Sequence, residues 1–186
     1  MTDPRDYTRT ETLKNGLTVT IRHLRPDDRE RIATAFKLLD RQSVYMRLFS
    51  YRSELSEAAL DRLMRVDPER EVALVVTTGT GDGEVVIGSG RYIASGAATP
   101  GGNGGERTAE VAFVVEEDYQ GLGIAGRLLR HFADIARAQG IAAFEADVLA
   151  ENKSMLAVFA RSGLPMEKRR DGGTVHVRLA LRDAGA

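Results

Sequence analysis

The run Glu110-Val-Ala-Phe-Val-Val-Glu-Glu-Asp-Tyr-Gln-Gly-Leu-Gly-Ile-Ala-Gly126 limits what this chain can fold into more than any other stretch. It reads as a buried strand, an acidic turn, a glycine loop and the start of a helix. Thr108 to Val115 is apolar, β-branched or aromatic apart from Glu110. Glycines stand at 121, 123 and 126. Ile124, Leu128, Phe132 and Ile135 then mark one helical face, with Arg127, Arg130, Asp134 and Arg137 off it. Gly140 supplies a stop.

Such a stretch suits an anion. Glycines let backbone approach a ligand, and the first N–H groups of a helix have no internal partner. Those donors and the positive end of the helix dipole favour a phosphate or pyrophosphate. A helix merely entered through a flexible loop is the plainer alternative. Gly121 to Gly126 also spells G-x-G-x-x-G, with Glu145 about twenty residues on, as a dinucleotide site requires. That fingerprint needs its first glycine at the strand end, and here Glu116 to Gln120 intervene. About sixty residues follow Gly126, too few to finish a dinucleotide-binding sheet.

Gln120-Gly-Leu-Gly123-Ile-Ala125 fits a second pattern, Q/R-x-x-G-x-G/A. With Glu110 on the strand before it and Asn152 after a later strand, it resembles the pyrophosphate loop of the GNAT family of N-acetyltransferases. The resemblance runs from Leu17 to Leu181. Val19 to Asp28, Ser43 to Phe49 and Ala109 to Phe113 carry a narrower likeness to the bacterial Pat-type protein-lysine acetyltransferases. It implies an α/β (α+β) GNAT fold: a mixed, mostly antiparallel central sheet with helices on both faces. It also implies acetyl-CoA as co-substrate, no metal, and a protein partner with a reactive lysine, of the AMP-forming acyl-CoA synthetase class.

Composition bounds the reading. The chain has 186 residues, 42% of them hydrophobic, enough for one domain with a sizeable core. Basic and acidic residues number 26 and 27, which argues against a nucleic-acid-coating protein. With no cysteine, thiolate metal sites, disulfides and a cysteine nucleophile are excluded. His23, His131 and His176 are not at metal spacing. No apolar run approaches a membrane span and the N-terminus is polar, so the expected location is the cytoplasm, with no membrane partner.

Residues 1–16 read as a polar tail and 17–182 as the domain. Leu17 to Arg22 alternates as a strand. Asp27 and Glu30 suggest an acidic capping box before a helix with Ile32, Ala33, Phe36 and Leu39 on its apolar face. Ser56 caps a second helix that ends before Pro68. Val72 to Val76 and Val85 to Ile93 flank the turn Gly79 to Gly83, and a glycine-rich loop, Ser95 to Arg107, precedes the central strand. Ala142 to Leu149 is a strand, Asn152 to Phe159 a short helix, and Met166 to Leu181 a hairpin around Asp171-Gly-Gly173. The order is βααβββαβαββ.

Amine acetylation needs a bound thioester, a base and an oxyanion donor. The backbone N–H groups of Gln120, Gly121, Leu122, Gly123, Ile124, Ala125, Gly126 and Arg127 would hold the pyrophosphate. By resemblance, Val114 and Val115 pair with the pantetheine arm, the Val114 N–H is the oxyanion donor, and Asn152 contacts CoA, although it also suits a helix N-cap. At pH 7 only about one lysine amine in a few thousand is neutral, so a base is needed. Glu110 shares a strand face with Ala112 and Val114. Apolar walls would strengthen that carboxylate as a base, and the resemblance places the catalytic Glu on this strand. A solvated or ion-paired Glu110 is the alternative. Tyr45, Arg47 and Phe49 are candidates for the acceptor groove, with simple packing as their alternative. Where many relatives carry a thiolate-protonating Tyr, this chain has Phe159; Tyr119, Ser154 or water could take that part.

Overall fold

The computed structural model describes residues 4–39, 56–95 and 106–181. Eight strands form one sheet: β1 (Thr8–Thr12), β2 (Thr18–His23), β3 (Glu71–Thr78), β4 (Val85–Ser95), β5 (Thr108–Val115), β6 (Ala143–Leu149), β7 (Met166–Asp171) and β8 (Thr174–Ala180). They lie in the order β1-β2-β3-β4-β5-β6-β8-β7, and every neighbouring pair is antiparallel except β5 and β6. A doubly wound dinucleotide-binding sheet would be parallel throughout. The described helices are α1 (Arg29–Leu38), α2 (Glu57–Met64), α3 (Ile124–Ala138) and α4 (Lys153–Ala160).

The two faces of the sheet are covered differently. Val72, Leu74, Val76, Tyr92, Val111 and Phe113 point toward α3, whose Leu128, Leu129 and Phe132 are fully buried. Tyr92 meets Phe132 edge-on at 5.4 Å, and Phe113 lies 5.8 Å from the same ring. Gly90 makes room for them: a Cβ there would stand 2.7 Å from Phe132 Cε2 and 2.9 Å from Phe113 Cδ1. The opposite face, with Ala73, Val75, Arg91, Ala112 and Val114, looks toward α1 and α2. No residue of α1 is fully buried, so it lies over this face as a cover with a groove beneath it.

Two expectations are corrected. Thr8–Thr12 is not part of a tail: it pairs with Thr18–Arg22 as the sheet's edge strand, so the folded unit begins well before residue 17. Period-two burial cannot flag such a strand, because its side chains are almost all exposed. At the start of α1, Asp27 and Glu30 make no reciprocal cap. Asp28 takes the N-cap position with its carboxylate turned inward, accepting the Arg25 N–H at 2.8 Å and both Arg22 guanidinium ends at 2.7 and 2.8 Å.

Candidate active site

β5 and β6 pair over only three positions, Thr108↔Ala143, Ala109↔Phe144 and Glu110↔Glu145. Beyond Glu110 the strands part, while β4 and β5 stay in unbroken register from Ser95↔Thr108 to Gly88↔Val115. The edge of β5 from Val111 to Val115 therefore faces a cleft. A cavity of about 1210 Å³ fills this fork, lined by Glu110 to Val115, Tyr119 to Arg127, Ala146 to Val148 and α4.

Backbone polarity in the fork follows from alternation. The Ala142 N–H donates to the Arg107 carbonyl, the Glu116 N–H to the Ile87 carbonyl at 3.1 Å, and Gln120 Nε2 to the Val115 carbonyl at 3.1 Å. The odd-numbered residues of β5 thus turn their polar groups to the β6 side, and even-numbered ones to β4. The Val114 N–H faces Ser89, which corrects its expected place as oxyanion donor; the Glu110↔Glu145 pairing takes up the Val111 N–H, so the gap-facing amides belong to Phe113 and Val115.

The loop at the wide end of the fork has the form that anion binding requires. Gly121 and Gly123 adopt φ of +76° and +87°, the left-handed region in which a side chain is strained. No side chain caps α3, so the first-turn N–H groups of Ile124, Ala125 and Gly126 open toward the cleft. Leu122 lines the same wall. Arg127 contributes less than expected: its N–H donates to the Gly123 carbonyl, and its guanidinium binds Glu11 and, at 2.8 Å, the Thr12 carbonyl.

Glu11 is the centre of a cluster that ties β1 to α3. It pairs with Arg127 and with Arg130 at 2.7 Å, and accepts from His131 Nε2 at 2.8 Å; His131 Nδ1 accepts from the Tyr7 hydroxyl at 2.5 Å. A neutral His131 carrying its proton on Nε2 satisfies both bonds. Burial lowers the His131 pKa below its ordinary value, outweighing the Glu11 hydrogen bond that would raise it. Its pairings with Arg127, Arg130 and His131 outweigh burial at Glu11 and hold that carboxyl below the usual range. This tie brings Lys14, in the β1–β2 turn, to the mouth of the fork, with its Cε 3.8 Å from where a Cβ on Gly123 would stand. Sequence reading missed Lys14, because only the hairpin's docking carries it there.

Glu110 stands where the strands part and is exposed, in place of the apolar surround expected for it. Asn152 caps α4, its Oδ1 accepting from the Met155 N–H at 3.1 Å, and also lines the fork. Phe159 is buried, 6.3 Å from Phe113, while Tyr119 and Ser154 both line the fork. Tyr45, Arg47 and Phe49 lie outside the described residues. Among the described residues no cluster suits a metal, and no helix is long and apolar enough to cross a membrane.

A second cavity, about 130 Å³, lies under α1 and α2 and is walled by Ile32, Phe36, Leu39, Leu63 and Met64. Ala112 and Val114 line both cavities, so the two adjoin along the open part of β5.

A sheet forked at its parallel pair, with a glycine loop and an uncapped helix at the wide end, is the frame of an acyl-group transferase, and the chain belongs to the acetyltransferase (GNAT) family, whose model matches residues 38–164. It is 33% identical over 174 residues to an acetyltransferase of Pseudomonas aeruginosa, covering 92% of this chain and 88% of that one. It is 31% identical over 143 residues to the acetyltransferase Pat of Mycolicibacterium smegmatis, covering 77% of this chain but 40% of that protein. The GNAT domain of S. lividans PAT superposes with a TM-score of 0.80 at 32% identity, covering 93% of this chain and 96% of that one.

Proposed function

We propose that the protein is an acetyl-CoA-dependent N-acetyltransferase that acetylates an amine by direct transfer. The observation that carries this is the fork: an unpaired strand edge leads to a glycine loop and an uncapped helix start. One ligand with an amide-bearing arm and a pyrophosphate matches all three. The arm lies along Val111 to Val115 as an added strand, Val114 and Val115 flanking it, and the pyrophosphate takes the N–H groups from Gly121 to Gly126. Gln120 holds the loop to the end of β5, and Asn152 forms the far wall.

Glu110 takes the amine proton, directly or through water. The nitrogen then forms a bond to the thioester carbonyl carbon, the C–S bond breaks, and CoA leaves as thiolate. A gap-facing N–H, that of Phe113 or Val115, stabilises the charge on the carbonyl oxygen. A thiolate with an ordinary pKa of about 8.5 leaves without a dedicated acid, which Phe159 cannot be; Tyr119 and Ser154 are within the fork should one act.

The acceptor is a protein lysine, the class that the likeness to Pat-type enzymes favours, with acyl-CoA synthetases as its first candidates. The small, apolar second cavity supports another reading, a small-molecule amine. Labelled acetyl-CoA with wild type and Glu110→Gln decides between them, using a purified acetyl-CoA synthetase and a panel of amines as acceptors. Label on the synthetase from wild type alone, with acetyl-CoA bound by both proteins, supports lysine and the base. Label only on a small amine moves the acceptor to the second reading. Binding without any transfer would reduce the protein to an acyl-CoA sensor.

A further inference from the structure

Glu116 follows β5 directly and continues the side-chain row Glu110, Ala112, Val114 on the α1–α2 side. Its N–H is fixed to Ile87, so the residue remains in line with the strand. Its Oε2 is buried and, among the described residues, has no hydrogen-bond partner. Carboxylate oxygens in this state are uncommon, since a buried acceptor without a donor loses its hydration for nothing.

The surroundings identify the missing donor. Glu116 lines the cavity under α1, whose only other charged wall residue among the described residues is Arg91. Arg91 is already committed, to Glu71 at 3.2 Å and to the Leu63 carbonyl. Burial pushes the Glu116 carboxyl above its ordinary range; the Asp118 N–H opposes this, and the charges of Asp118 and Glu117 add to it. A cation would reverse that balance. One unpartnered oxygen calls for one donor, which a point ammonium supplies, whereas a guanidinium favours two parallel oxygens. The rest of the wall, Ile32, Phe36, Leu39 and Met64, suits an aliphatic stem.

We infer that Glu116 Oε2 and the cavity under α1 bind an alkylammonium group of the acceptor. The inference rests on the acetyltransferase reading for what the occupant is. Glu116 lies six residues beyond Glu110, roughly 20 Å along an extended strand. One nitrogen therefore cannot serve both carboxylates. The cation at Glu116 is a second one, held while another amine of the same acceptor reacts where the two cavities adjoin. The acceptor class is thus dicationic: a diamine or polyamine, or a protein lysine with a second lysine nearby.

The test titrates wild type and Glu116→Gln with n-hexylamine, cationic at pH 7, and with 1-hexanol as its uncharged counterpart. Wild type is expected to bind the amine at least about tenfold more tightly than the alcohol, and Glu116→Gln to bind both alike. Equal binding by wild type, no binding of either, or a preference that survives in Glu116→Gln overturns the assignment. Turnover with 1,6-diaminohexane and with a two-lysine peptide then identifies the source, as the acceptor whose KM rises in Glu116→Gln while the acetyl-CoA KM holds. An unchanged KM for every acceptor that turns over also overturns it. Titration with acetyl-CoA separates the two failures: its absence sinks the acetyltransferase reading, whereas the hexylamine comparison needs no turnover.

Discussion

Arg22 and Asp28 bury two opposite charges, 3% and 0% exposed, and Glu84 closes the group at 3.0 Å. The pair joins β2 to the start of α1, the helix that covers the second cavity. Removing one partner strands the other charge, so Asp28→Ala is expected to cost about 3–5 kcal/mol. Urea unfolding measures this; a loss under about 1 kcal/mol, the size of an exposed pair, would contradict it. His131 gives a pH prediction. Its folded-state pKa is depressed, so below its ordinary value of about 6.5 the unfolded chain takes up a proton first. Stability from this residue is present above that pH and is lost as pH falls through the folded value. Glu11 is also depressed and adds a loss of the same sign at lower pH. Thermal melts from pH 7.5 to 5 should show a falling Tm, with a shallower slope in His131→Gln. Equal slopes would mean that His131 does not carry the effect.

Elements deliver these residues to the cleft. The β1–β2 hairpin is an edge with exposed side chains, yet its Glu11 cluster makes it part of the α3 wall. Lys14 rides on its turn, and an ammonium at the mouth of a phosphate site helps most at low ionic strength. Lys14→Ala should weaken acetyl-CoA binding about threefold to tenfold, with the difference shrinking as salt is raised; calorimetric titration at two salt concentrations would show it. The loop before α3 has a sharper requirement. Gly123 enters the helix at φ +87°, and a non-glycine residue in the left-handed region costs roughly 1–2 kcal/mol. Gly123→Ala is therefore expected to weaken acetyl-CoA binding about tenfold. Unchanged binding would mean that the loop N–H groups do not hold the pyrophosphate.

At the scale of the molecule, one ligand in the fork would touch β5, α3, β6 and α4 together, elements that the sheet joins only through three paired positions there. Binding confined to the native state adds stability, about 2.7 kcal/mol at a hundred times Kd. Acetyl-CoA at that excess should raise Tm by several degrees; no shift would contradict binding in the fork. The sequence by itself determined the central strand, the glycine loop and α3. Their signals are local: a run of β-branched and aromatic residues, glycines at fixed spacing, and apolar positions at 124, 128, 132 and 135. Caps, alternation and turns then gave the order of the remaining elements apart from β1, and the mixed sheet agrees with the GNAT fold that the resemblance implied. What only the tertiary structure decided depends on partners far apart in the chain. Arg22 and Asp28 meet Glu84, Glu11 meets residues of α3, and β5 leaves β6 after Glu110. The direction of each amide in the fork follows from strand register, and the unpartnered oxygen of Glu116 from the helix packed over it. Neither register nor packing is a property of neighbouring residues, so no local pattern could have announced them.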